Sequence, residues 1–260
     1  MPAKSQPAYR RVLLKLSGDV LRGFGAAGSG IDGARVASLS AEVAEAAGLG
    51  VELGVVIGGG NFIRGRECSR WGIDRATADY MGMMATIINA LALQDAIEKL
   101  GRPTRVLSAL KCEEVCEPYI RRRALRHIEK GRVVILAGGT GNPYFTTDTT
   151  AALRACELGA EALLKATRVN GVYSADPETN PRAVRFAKLS YLDVLSRNLK
   201  VMDAAAISLC MDNRMPIVVF SLKEPGNIRR ALQGQDIGTL ISPEVTAAPA
   251  AARRRRSARK

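Results

Sequence analysis

Apolar residues fall in short unbroken runs separated by longer amphipathic stretches. The runs are RVLLKLS (11–17), VELGVVIGG (51–59), TRVLSAL (104–110), RVVILAGG (132–139), EALLKATRV (161–169) and PIVVFSL (216–222). Rich in Val, Ile and Leu and mostly without polar alternation, they read as strands covered on both faces. Residues 33–50 place apolar side chains three and four apart and end in glycine, the pattern of an amphipathic helix. Residues 75–101 form a longer, largely apolar helical stretch closed by Gly101. TTDTTAALRACELG (146–159) offers capping residues and then a short helix, and residues 190–215 read as two helices. Strand and helix alternate, so the expected class is α/β with a mainly parallel central sheet. No repeat and no Pro/Gly/Ser linker interrupts residues 9–242, which are expected to form one folded domain followed by a disordered basic tail, 243–260.

Glycines sharpen the picture, because they cluster where three of these strands end: KLSGD (15–19), IGGGN (57–61) and AGGTGNP (137–143). In open α/β sheets ligands bind at the carboxyl ends of the strands. Glycine lets main-chain N–H groups approach phosphate oxygens, and the helix N-termini that follow favour negative charge. Three such turns on one rim suit a ligand with several phosphates, or two phosphorylated ligands facing each other. The dinucleotide fingerprint fails, since Tyr144 stands where its third glycine belongs, and the Walker and protein-kinase patterns are absent.

Charge adds candidates. Lys15 lies between apolar neighbours just ahead of Ser17 and Gly18, so its ammonium must point into a polar opening, where it can neutralise a phosphoryl group in transfer. Arg64 follows the triple glycine and can clamp a phosphate. Asp148 and Asp203 can hold magnesium, orient Lys15, or cap the helices they precede. The only histidine, His127, sits on a basic helical face ending at a glycine and reads as solvated surface. Chemistry without a histidine base fits a phosphate nucleophile, which is already ionised near neutral pH.

The remaining composition mainly excludes. Of the 260 residues 47% are hydrophobic, yet no apolar run approaches the roughly 18 residues that span a bilayer. The first residues lack the apolar core of a secretion signal, so a cytoplasmic location is expected. Five cysteines without C-x-x-C spacing are expected to be free thiols. The net charge of +13 draws six of its positive charges from the tail (Arg253 to Arg256, Arg259 and Lys260), which predicts only weak, nonspecific nucleic-acid binding there. Aromatic residues are only 5% and do not interleave with the basic runs, against a dedicated nucleic-acid module. The methionine-rich stretch MGMMATIINALALQ reads as core or subunit interface, and its apolar residues on more than one face favour an interface.

Taken in order, YRRVLLKLSGD, GVVIGGGNFIRG, DYMGMMATIINALALQDA, VVILAGGTGNPYFTTDTTAALRA, LLKATRVNGVYSADP and LKVMDAAAISLCMDNRMPIVVF resemble the bacterial uridylate (UMP) kinases, a branch of the amino acid kinase family. The strings run in order from Tyr9 to Phe220, within the domain expected over residues 9–242. The resemblance implies a three-layer αβα sandwich, usually assembled as a homohexamer. It implies transfer of the γ-phosphoryl group of ATP to UMP, giving UDP and ADP, with Mg2+, in pyrimidine nucleotide biosynthesis. By position, Lys15, Leu16, Ser17, Gly18, Gly60 and Arg64 would meet the ATP phosphates, and Thr167, Tyr173 and Asp176 its base and ribose. Gly59, Asp79 and the run Thr140, Gly141, Asn142, Pro143, Tyr144, Phe145, Thr146 and Thr147 would bind UMP. Lys15, Asp148 and Asp203 would serve catalysis. GTP and UTP are the implied effectors. Residues 19–32, DVLRGFGAAGSGID, depart from that family, with Asp19 in place of a glutamate and AAGS inserted ahead of Ile31-Asp32; the departure bears on regulation and leaves the catalytic assignment intact.

Overall fold

The computed structural model describes residues 7–22, 30–63 and 68–243. Arg64, residues 23–29 of the divergent segment and nearly all of the basic tail lie outside the described residues.

The six apolar runs become the long strands β1 (Arg11–Leu16), β2 (Glu52–Ile57), β3 (Thr104–Ser108), β5 (Val133–Ala137), β6 (Ala162–Thr167) and β8 (Ile217–Ser221). Three further strands are only two or three residues long: β4 (Glu117–Pro118), β7 (Lys188–Leu189) and β9 (Thr239–Ile241). They join one nine-stranded sheet in the order β4-β3-β5-β2-β1-β6-β8-β9-β7. Every pairing is parallel except β8 with β9.

Strand side chains alternate between the two faces, and both faces are covered. Val12, Leu14 and Leu16 join a core with helices α1 (Gly33–Ala47), α2 (Arg75–Lys99) and α7 (Asn227–Leu232). Leu13, Val56 and Leu163 join a second core with α3 (Arg121–Glu129), α4 (Thr147–Leu158), α5 (Tyr191–Ser196) and α6 (Ala204–Asp212). The result is the expected three-layer αβα sandwich.

Local chemistry sets the helix ends that matter for the site. Thr146 caps α4 by accepting from the N–H of Asp148 (3.0 Å) and Thr149 (3.2 Å), and Gly159, at φ 64°, closes it. Asp74 caps α2, whose 25 residues are buried on one side through Met83, Ile87, Ala90, Leu93 and Ile97. Its opposite side exposes Tyr80, Met84 and Ile88, one turn apart. The five cysteines are free thiols. No described helix is long and apolar enough to cross a membrane.

Candidate active site

The three glycine turns meet at one rim. Ser17 and Gly18 after β1, Gly58 to Gly60 after β2, and Gly139 and Thr140 after β5 line one cleft of about 330 Å3. The first two turns touch: a Cβ on Gly18 would lie 2.5 Å from the Gly58 carbonyl and 2.7 Å from the Gly60 nitrogen, so only glycine fits there. Asp79 of α2, Asn142, Phe145, Thr146 and Thr147 complete the wall. Gly141, Pro143 and Tyr144 do not line it. Tyr144 has φ 71°, a strained value for an aromatic residue, and its N–H donates to Asp79 Oδ2 at 2.7 Å. Arg75, which sequence reasoning passed over, grips both Asp79 oxygens through Nε at 2.9 and 3.0 Å.

A second cleft, of about 550 Å3, opens beside β6 and is lined by Lys165, Thr167, Tyr173 and Asp176 among others. Tyr173 donates its hydroxyl to Asn170, and Asp176 accepts from the N–H of Glu178 at 2.9 Å. Thr167 accepts from the N–H of Val169 at 3.0 Å. Leu16, by contrast, has a fully buried core side chain, so it reaches the rim with its main chain alone.

Between the clefts lies a charged cluster built by strand pairing. Lys15 on β1 and Lys165 on β6 are register partners, each at the position where Leu13 and Leu163, two residues earlier, face α4. Both ammonium groups converge on Asp148 in the first turn of α4: Lys15 Nζ is 2.9 Å from Oδ1 and Lys165 Nζ 2.6 Å from Oδ2. Lys165 also donates to the Val201 carbonyl. Both lysine side chains are about nine-tenths buried, with Asp148 scarcely more exposed. Burial alone would raise the Asp148 pKa, but the two cations hold it below the usual carboxylate range. Burial outweighs the attraction of Asp148 for Lys165, and with repulsion from Lys15 brings its pKa down to about 8. With both ammonium groups charged the trio carries a net +1; Lys165 lines the second cleft, and Lys15 stands two residues before Ser17, which lines the first.

Lys165 is the functional candidate that sequence reasoning missed. Its signal was present: Leu-Leu-Lys occurs at 13–15 and again at 163–165. Asp203 takes a different place from Asp148. It caps α6 by accepting from the Ala206 N–H at 2.9 Å, and it accepts from the hydroxyls of Thr149 (2.8 Å) and Thr146. It therefore fastens α6 to the mouth of α4, and no hydrogen bond or ion pair joins it to Lys15.

The carboxylates were also candidates for magnesium. Among the described residues no three His, Cys, Asp or Glu side chains gather to hold a metal ion. Asp148 faces two ammonium groups and Asp203 two hydroxyls. That donor set suits an ion delivered on phosphate oxygens, as magnesium commonly is.

Comparison with known proteins agrees with this geometry. Residues 10–221 match the amino acid kinase family. Among solved structures, a UMP kinase from Bacillus anthracis superposes with a TM-score of 0.89 at 40% identity, covering 93% of this chain and 98% of that one. A UMP kinase from Ureaplasma parvum gives 0.85 at 38% identity, over 90% and 98% of the two chains. A uridylate kinase from Archaeoglobus fulgidus gives 0.68 at 30% identity, over 89% and 99%.

Proposed function

This chain belongs to the amino acid kinase family, and from that premise we propose that it transfers the γ-phosphoryl group of ATP to UMP, yielding UDP and ADP, in pyrimidine nucleotide synthesis. The observation that carries the reading is the convergence of three glycine turns on one rim beside a buried Lys15–Asp148–Lys165 cluster. Two clefts flank that cluster, one for each nucleotide.

UMP occupies the cleft of Gly59, Asp79 and the 140–147 segment, with Asp79 toward the ribose. ATP places its phosphates over Lys15, Ser17, Gly18 and Gly60, and its base and ribose beside Thr167, Tyr173 and Asp176. Arg64 adds a further phosphate contact in the family pattern. An oxygen of the UMP phosphate attacks the γ-phosphorus, the bond from γ-phosphorus to the β,γ-bridging oxygen breaks, and ADP departs. The nucleophile is already an anion, so no base has to remove a proton. Charge spreads over the transferring group in a loose transition state. Lys15 and Lys165 stabilise that charge, with the positive end of the α4 dipole beside them. Asp148 keeps both ammonium groups aimed while leaving one positive charge unbalanced. Magnesium, carried on the ATP phosphates and not by a carboxylate cluster of the described residues, would neutralise part of their charge.

The reading includes a homohexamer, with the exposed Tyr80, Met84 and Ile88 stripe of α2 as a subunit contact. Sedimentation of the purified protein decides it. It also includes a cytoplasmic setting, where ATP and UMP are held, and GTP and UTP as effectors. The basic tail stands outside the kinase domain.

A coupled ADP-release assay across UMP, CMP, N-acetylglutamate and carbamate tests the assignment. Turnover is expected with UMP far above the others. Turnover of a carboxylate or carbamate acceptor without UMP would move the chain to a different branch of its family.

A further inference from the structure

Asn61 and Asn89 are both fully buried, one just past the triple glycine and the other in the apolar interior of α2. A buried amide is costly unless its donors are used, and here all four amide hydrogens are. Asn89 Nδ2 donates to the Gly58 carbonyl and to Asn61 Oδ1, both at 2.7 Å. Asn61 Nδ2 donates to Asn89 Oδ1 at 2.9 Å and to the Gly30 carbonyl at 3.0 Å. The carbonyls of Gly58 and Gly30 fix which end of each amide is nitrogen.

The consequence lies in the planarity of the peptide bond. In a trans peptide the C=O of one residue and the N–H of the next point in opposite directions. When Asn89 holds the Gly58 carbonyl toward α2, the Gly59 N–H is turned the opposite way, and Gly59 is one of the residues that line the cleft. No described residue accepts from that N–H. The remaining carbonyls of the turn are also held: the N–H groups of Phe62 and Ile63 donate to Gly59, and Arg22 donates to Gly60 and Asn61. Gly59 packs directly against α2, and only glycine fits there, since a Cβ would lie 2.5 Å from the Gly82 carbonyl.

We propose that Asn89, clasped to Asn61, is a positioning residue that orients the Gly58–Gly59 peptide so that its N–H faces the acceptor phosphate. The inference rests on the reading that this cleft takes UMP. Its mechanism is orientation of one main-chain donor before substrate arrives, the kind of preorganisation that makes such donors effective.

Asn89→Asp, nearly isosteric, replaces the donor to Gly58 by an oxygen unless the carboxyl is protonated. At pH 8 its kcat/KM for UMP should fall roughly ten- to hundredfold, with KM for ATP nearly unchanged. The deficit, taken as the ratio of variant to parent at each pH so that the parent's own alkaline limb cancels, should shrink as pH falls toward 6, where the protonated carboxyl can donate again. Unchanged UMP kinetics in a folded Asn89→Asp protein would overturn the proposal, as would a pH-independent loss affecting both nucleotides equally. If the parent protein itself fails to phosphorylate UMP, the functional reading fails instead. Should the variant not fold, 15N-glycine labelling of the parent protein answers the question. The Gly59 amide proton should move downfield on addition of UMP, and a resonance that UMP does not move would overturn the proposal.

Discussion

Lys15→Ala lowers kcat for UMP phosphorylation by roughly 10²- to 10³-fold, the scale of losing a donor that acts on transition-state charge. UMP affinity changes by no more than about threefold, because the ammonium meets the group in transfer rather than the nucleoside. Stability is expected to change little. Removing Lys15 leaves Asp148 still paired with Lys165 at 2.6 Å, so the cluster passes from a net +1 to neutral and no buried charge is stranded. Steady-state kinetics with each nucleotide varied, and equilibrium titration with UMP, check both halves. Near-normal turnover would remove Lys15 from the mechanism.

Asp148→Asn is expected to damage the protein in the opposite way. It places two buried ammonium groups side by side with no carboxylate in contact, leaving only the more distant charge of Asp203. Breaking a buried pair in this manner costs about 3–5 kcal/mol. In a chain of this size that corresponds to a fall in Tm of roughly 10 °C. One lysine escapes the repulsion by losing its proton. Lys165 is the one to do so, since burial and Lys15 already hold its pKa near about 8 even with Asp148 in place. The protonated fraction of Lys165 falls as pH rises, so an alkaline limb in kcat/KM near pH 8 is expected of the parent enzyme. In Asp148→Asn that limb moves to lower pH, and activity at neutral pH drops with it. Differential scanning calorimetry and a pH profile measure the two effects. A variant as stable as the parent, with an unmoved alkaline limb, would show that Asp148 does not hold the lysines.

The two substitutions also separate what was legible in the sequence from what was not. Lys15 stood out because a lysine inside RVLLKLS has apolar neighbours on both sides and must aim at something polar. The six long strands were legible for the same reason: burial on both faces leaves unbroken Val, Ile and Leu runs. Strands β4, β7 and β9, at two or three residues, carry no period to read. Helix α7 is led by Gly226 at φ 80° with no side-chain cap, so its start left no signal. Lys165 repeated the Leu-Leu-Lys string, but its role depends on β6 lying beside β1 in the register that sets residue 165 against residue 15. Strand order across 150 residues is a tertiary fact. Asn89 was hidden more deeply, in a helix that read as core or interface, because nothing local says that its amide meets the Gly58 carbonyl. Asp203 could be read as helix cap or site residue; in the fold it caps α6 while its oxygens also tie down Thr146 and Thr149 at the mouth of α4.

The central claim is that two phosphorylated nucleotides lie end to end across the gathered glycine turns. The most direct test is inhibition by adenosine and uridine joined 5′ to 5′ through a chain of five phosphates, which spans both clefts only if they open onto a common rim. Inhibition competitive with ATP and also with UMP is expected, with binding tighter than either nucleotide alone. Competition with only one of the two, at an affinity no better than that nucleotide by itself, would contradict the claim.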